Sequence, residues 1–192
     1  MLEPPGLPAS GPGADAPGAE VTAAIDPDER SVDVYERALL RPGVTAVHLA
    51  PTGLDPLPGG LRSARPVVTD LQVELDGQAA APVVAGATGW DVAAPGGRAI
   101  GRVVLRYRVV DSLVRQTPAP PGRATVILRP LGSAVVAAFG DPVVVRLSDP
   151  RIGSVSCPTA PRPLCAVADG PRHTATVPPG GTAIVLAQVR LG

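Results

Sequence analysis

The 192-residue chain balances 17 basic against 17 acidic residues, and every basic residue is an arginine; neither lysine nor asparagine occurs. Schiff-base catalysis, a P-loop lysine and N-glycosylation are therefore excluded, as are Lys–Asn isopeptide crosslinks. The 25 prolines and 22 glycines interrupt most windows long enough for a helix, yet a hydrophobic fraction of 45% is too high for general disorder, so short apolar strands joined by frequent turns are expected.

Residues 1–19 are rich in proline and glycine, with Leu2 and Leu7 as the sizeable apolar groups, and are expected to form a flexible tether ahead of one domain over residues 20–192. Residues 1–40 hold eight acids against two arginines, and the remainder holds fifteen arginines against nine acids. That modest basic excess, with Tyr35, Trp90, Tyr107 and Phe139 as the aromatic residues, undersupplies both phosphate neutralisation and base stacking, so no nucleic-acid partner is expected.

Strands are expected at 21–25 and 31–39, around an Asp26-Pro27-Asp28-Glu29-Arg30 turn, and at 44–49, followed by a long Pro/Gly loop over 50–65. Residues 67–75 alternate apolar and polar up to Asp76-Gly77, a hairpin signal, with 79–84 as the return strand. After Pro95-Gly96-Gly97, residues 99–110 set Val103, Leu105, Tyr107 and Val109 on one face and Arg102, Arg106 and Arg108 on the other. Further strands at 124–128, 135–139 and 142–147, then 172–177 and 182–191 around Pro178-Pro179-Gly180-Gly181, bring the total to about ten. The fold class is all-β: a two-sheet antiparallel β-sandwich, Ig-like or related, with little or no helix.

Cys157 and Cys165, with seven residues between them, are the two cysteines and read as a local disulfide, which implies an oxidising compartment. With His48 and His173 they are the soft donors available to zinc, but their spacing matches no metal motif, so no metal or cofactor is expected. Ser154 and Ser156 lie near no histidine in sequence, and no nucleophile elbow occurs. Trp90 is expected to anchor the core rather than to serve as a ligand platform. The three arginines form either a binding stripe or one side of cross-strand ion pairs, with Asp70 and Glu74 as the expected partners.

Residues 67–77 (Val-Val-Thr-Asp-Leu-Gln-Val-Glu-Leu-Asp-Gly), with the Arg-Val-Val-Leu-Arg-Tyr-Arg-Val strand, resemble in strand pattern the β-sandwich domain preceding the catalytic domain of M1-type aminopeptidases. Anchored actinobacterial surface ectodomains of unknown function are similar too. The resemblance covers roughly residues 20 to 130 and implies a sandwich without activity, because the zinc motif of those peptidases belongs to another domain and is absent here. The expected function is a non-catalytic, secreted or cell-envelope module acting in protein interaction or structure. Its expected partner is another envelope protein, with a signal or membrane anchor lying outside this chain. A hydrolase with a site assembled through space, and a cytosolic or virion structural subunit, are the alternatives.

Overall fold

A computed structural model describes residues 8–50, 61, 65–85, 89–115, 122–160, 163–177 and 183–191. In chain order the strands are β1 (Gly18–Asp26), β2 (Ser31–Leu39), β3 (Ala46–Leu49), β4 (Val67–Leu75), β5 (Gln78–Ala80), β6 (Val83–Ala85), β7 (Gly89–Ala93), β8 (Arg102–Val110), β9 (Leu113–Val114) and β10 (Arg123–Leu128). A short helix, α1 (Ser133–Ala137), precedes β11 (Val143–Ser148), β12 (Ile152–Ser156), β13 (Ala166–Asp169), β14 (Arg172–Val177) and β15 (Val185–Arg190). The protein is nearly all β, in a sandwich-like arrangement. One eight-stranded sheet, β13-β14-β11-β1-β2-β8-β4-β5, is accompanied by a four-stranded sheet, β12-β15-β10-β9, and a three-stranded sheet, β3-β7-β6. A single apolar core draws on all three, through Val21, Val34 and Leu105 of the large sheet, Leu49 and Val92 of the smallest, and Val126 and Val185 of the third. A smaller cluster, Leu61, Ile127, Ile184 and Leu186, forms apart from that core.

Local chemistry explains the turns. Asp26 accepts hydrogen bonds from the amides of Asp28 (3.0 Å) and Glu29 (3.1 Å), closing the β1–β2 hairpin. Asp76 and Gly77 both have positive φ (50° and 80°), as a tight hairpin turn requires. In β8, Val103, Leu105, Tyr107 and Val109 are all buried while Arg102 and Arg106 are exposed, in keeping with the alternation.

Several expectations are corrected. The large sheet is mixed, because β1 pairs with β11 in parallel, Ala19 opposite Val143; alternation assigns faces but carries no information about a neighbour's direction. Residues 135–139 begin in a helical turn, not a strand. The amides of Val135 and Val136 donate to Gly132 O and the Ser133 hydroxyl donates to Pro130 O (2.8 Å), and so short an apolar run has no diagnostic period. The expected return strand 79–84 divides into β5 and β6, which enter different sheets. β4 contains a register shift between Thr69 and Gln72, with Asp70 at φ 55°. This bulge moves the inward side chains from Val68 to Leu71 and Val73, and leaves Val67 51% exposed.

The tether expected over residues 1–19 is also revised from Pro8 onward. Pro8 O accepts from Arg37 (2.8 Å), Ala14 O accepts from Arg102 (3.3 Å), Ala14 is buried, and β1 begins at Gly18. Residues 1–7, most of the 50–65 loop and the 178–181 turn lie outside the described residues.

Arg41, after β2, grips the buried Asp141, before β11, through three contacts of 2.6 to 3.2 Å. The hydrogen bonds and charge of Arg41 hold the Asp141 carboxyl below its ordinary 3.8, against the opposing effect of burial. A depressed carboxylate contributes stability above its unfolded value and loses it as pH falls. We expect Asp141→Asn to cost about 1 kcal/mol at pH 7 and less below pH 3, since Arg41 is half exposed; equilibrium urea unfolding at the two pH values measures this.

Candidate functional site

The inward face of β2 reads Val32, Val34, Glu36, Ala38: an acid stands in phase with the core residues. Glu36 is 1% exposed. Its Oε1 accepts from the Tyr107 hydroxyl on β8 and from the Leu131 amide (2.6 Å), and its Oε2 accepts from the Gly132 amide (2.9 Å). The Leu131 amide also lies 3.3 Å from the Tyr107 oxygen. Gly132 is required by this closeness, for a Cβ there would lie 2.9 Å from Glu36 Oε2.

Three donors favour the ionised carboxylate and complete burial opposes it. Burial is the larger effect and raises Glu36 from 4.5 to about 7. Burial, with the adjacent carboxylate, also pushes the Tyr107 phenol well above its ordinary range. Ala38, Leu40, Leu49, Val103, Leu105 and Val135 line the cavity beside the pair, which has barely room for one water. The arrangement can hold and release a proton, and it leaves no space for a substrate.

The opposite face of β8 carries the arginines. Arg108 binds Asp33 on β2 (2.8 and 3.3 Å) and Glu29 in the β1–β2 turn (2.7 Å). Its direct partners thus come from the β2 side, whereas the expected Asp70 acts on it only through its field. The β4 bulge accounts for the difference, because Asp70 falls within the interrupted register. Arg106 lies over the Tyr35 ring, 5.4 Å from its centre, a cation–π contact. Arg102 is committed to Ala14 O. Nearby, the buried Glu20 receives Arg37 (2.8 Å) and Arg146 (2.6 Å).

Cys157 and Cys165 form a disulfide, with a Cα–Cα distance of 5.7 Å. His48 on β3 is exposed and its Nδ1 lies 2.7 Å from Asp91 Oδ1 on β7. His173 is buried on β14 with Nδ1 unpartnered, and Ser154 and Ser156 lie on β12 of another sheet. The histidines and serines are thus dispersed over three sheets. Trp90, on β7, is half-buried against the core between Leu49 and Val84. Among the described residues no three His, Cys, Asp or Glu side chains converge as metal ligands, and no helix is long and apolar enough to cross a membrane.

No protein-family model and no curated protein matches the sequence. Solved structures do share the fold. An aminopeptidase N family protein from Idiomarina loihiensis matches at a TM-score of 0.54 and 12% identity, over 89% of this chain and 29% of that one. Leukotriene A4 hydrolase from Saccharomyces cerevisiae matches at 0.52 and 10% identity, over 88% of this chain and 28% of that one. The chain spans less than a third of the length of either protein. The resemblance to M1 aminopeptidases seen in the strand pattern is therefore present in three dimensions, as a likeness of fold.

Proposed function

We propose that the chain is a non-catalytic β-sandwich module of the cell envelope or extracellular space that binds another envelope protein through an exposed sheet edge. The observation that carries this reading is β13. It is the terminal strand of the large sheet, it directly follows the disulfide, and it leaves Val167 74% exposed beside Leu164 at 80%. Edge strands are ordinarily guarded by charge, proline or a bulge; β13 carries one such guard, Asp169 at its end, and leaves Ala166-Val167-Ala168 apolar. An extended partner segment would add a strand there by main-chain pairing. The disulfide supports an oxidising compartment. The likeness to less than a third of an aminopeptidase-family chain supports a module that works beside a separate catalytic unit.

A photoreactive side chain at position 167, illuminated in intact cells, should give one discrete adduct with an envelope protein. Adducts only with cytosolic proteins, or none, would remove the reading. A hydrolase is the second reading, favoured by the His48–Asp91 pair, which has the geometry of a base held by its orienting acid. It requires hydrolysis of aminoacyl or ester substrates that disappears in His48→Ala.

A further inference from the structure

The Glu36–Tyr107 pair lies where the three sheets meet. Glu36 belongs to β2 and Tyr107 to β8, both in the large sheet. The amides of Leu131 and Gly132 come from the connection that leaves β10, in the four-stranded sheet, and enters α1. Leu49, on β3 of the smallest sheet, lines the same cavity. Polar contacts here tie the large sheet to the β10–α1 connection, and the smallest sheet closes the place with the apolar Leu49.

We propose that Glu36 and Tyr107 form a proton-operated latch at this junction: the protonated carboxyl lets the β10–α1 connection seal against the large sheet without burying a charge, whereas the carboxylate, although it accepts the same three hydrogen bonds more strongly, is a charge buried without a counter-ion and favours opening of the junction to water. The step is a proton exchange with solvent: the carboxyl O–H bond breaks, its electron pair stays on the oxygen, and the proton passes to water. The surroundings make that charge costly. The groups facing Glu36 are Ala38 from β2 and Leu40 just beyond it, Leu49 from β3, Val103, Leu105 and Tyr107 from β8, Leu131 and Gly132 from the connection and Val135 from α1. Tyr107 is the one titratable group among them, and none is a cation. The carboxylate that forms is stabilised by three hydrogen bonds and by no counter-charge.

The sign follows from linkage. The carboxyl titrates near 4.5 when unfolded and near 7 when folded. Between those values the folded state keeps a proton that the unfolded state has lost. The contribution to stability is therefore full below pH 4.5, falls as pH rises towards 7, and is exhausted above it.

In equilibrium urea unfolding of the full chain, the unfolding constant is expected to rise roughly 100-fold between pH 5 and pH 8 through this group. Glu36→Gln removes the proton and should flatten that rise; both histidines remain in the variant, so the difference isolates Glu36. Tyr107→Phe removes a donor that lowers the carboxyl, and should carry the fall in stability to higher pH. It also provides the reading if Glu36→Gln does not fold. Protection of the Leu131 and Gly132 amides, corrected for intrinsic exchange, should drop over the same pH interval as the unfolding constant rises. A Glu36→Gln protein that keeps the wild-type profile would overturn the latch, as would a wild-type profile that is flat or rises with pH. A Tyr107→Phe profile shifted to lower pH would overturn the role of the phenol.

Discussion

Gly13→Ala should lower the unfolding free energy by about 2 to 3 kcal/mol and make residues 8–17 susceptible to proteolysis. Gly13 sits at φ +76°, and a Cβ there would lie 2.3 Å from Arg37 O and 2.9 Å from the Glu20 amide nitrogen. Both atoms are backbone of paired central strands and cannot yield. An alanine also bears a left-handed backbone penalty of about 1 kcal/mol. The segment would lift instead, losing the bonds of Pro8 O to Arg37 and Ala14 O to Arg102 and the burial of Ala14. The cost is bounded by what docking that segment contributes. Gly43→Ala is the control, with a positive φ (+96°) but no atom within 4 Å of the added carbon. Equal losses in the two variants would show that close approach is not the cause.

Removing the disulfide as Cys157→Ala with Cys165→Ala should cost about 2.5 kcal/mol through the restored freedom of the unfolded chain. For a domain of this size that is roughly 5 to 10 °C in Tm. The loop also carries hydrogen bonds of its own, Cys157 N–H to Pro163 O (2.8 Å) and Ala160 N–H to Cys157 O (3.0 Å), so its native shape should persist without the link. The loss should therefore appear in stability with the strand content unchanged by circular dichroism. Wild-type protein unfolded in reductant should match the double variant; a gap above about 1 kcal/mol between them would show that the alanines damage packing at the buried Cys157.

The all-β class, the β8 alternation, the Asp26 and Asp76-Gly77 turns and the cysteine link were legible because each is local: a period of two, a side chain bonding its own turn, two thiols on one short loop. The third sheet and the parallel β1–β11 pair were not, because they depend on which strands meet. The buried site was legible by half. Glu36 stands in phase with Val32, Val34 and Ala38, and Tyr107 with Leu105 and Val109, a parity signal visible in the sequence but unread among charges assigned to solvated faces. Its other partners, the Leu131 and Gly132 amides, are backbone donors and leave no residue signature. The β4 bulge misled in the other direction, since an unbroken alternation through residue 70 made Asp70, with Glu74, the expected partners of the β8 arginines.

The parallel pairing of β1 with β11 has a kinetic consequence. Ala19 waits for Val143, and a chain elongating at about 5–20 residues per second needs on the order of ten seconds to deliver it. During that interval β1 can pair with β2, but its other edge stays open, a Val-, Ala- and Ile-bearing strand able to template the wrong neighbour. The length of time that edge stays open should therefore affect the folded yield of this protein independently of its final stability.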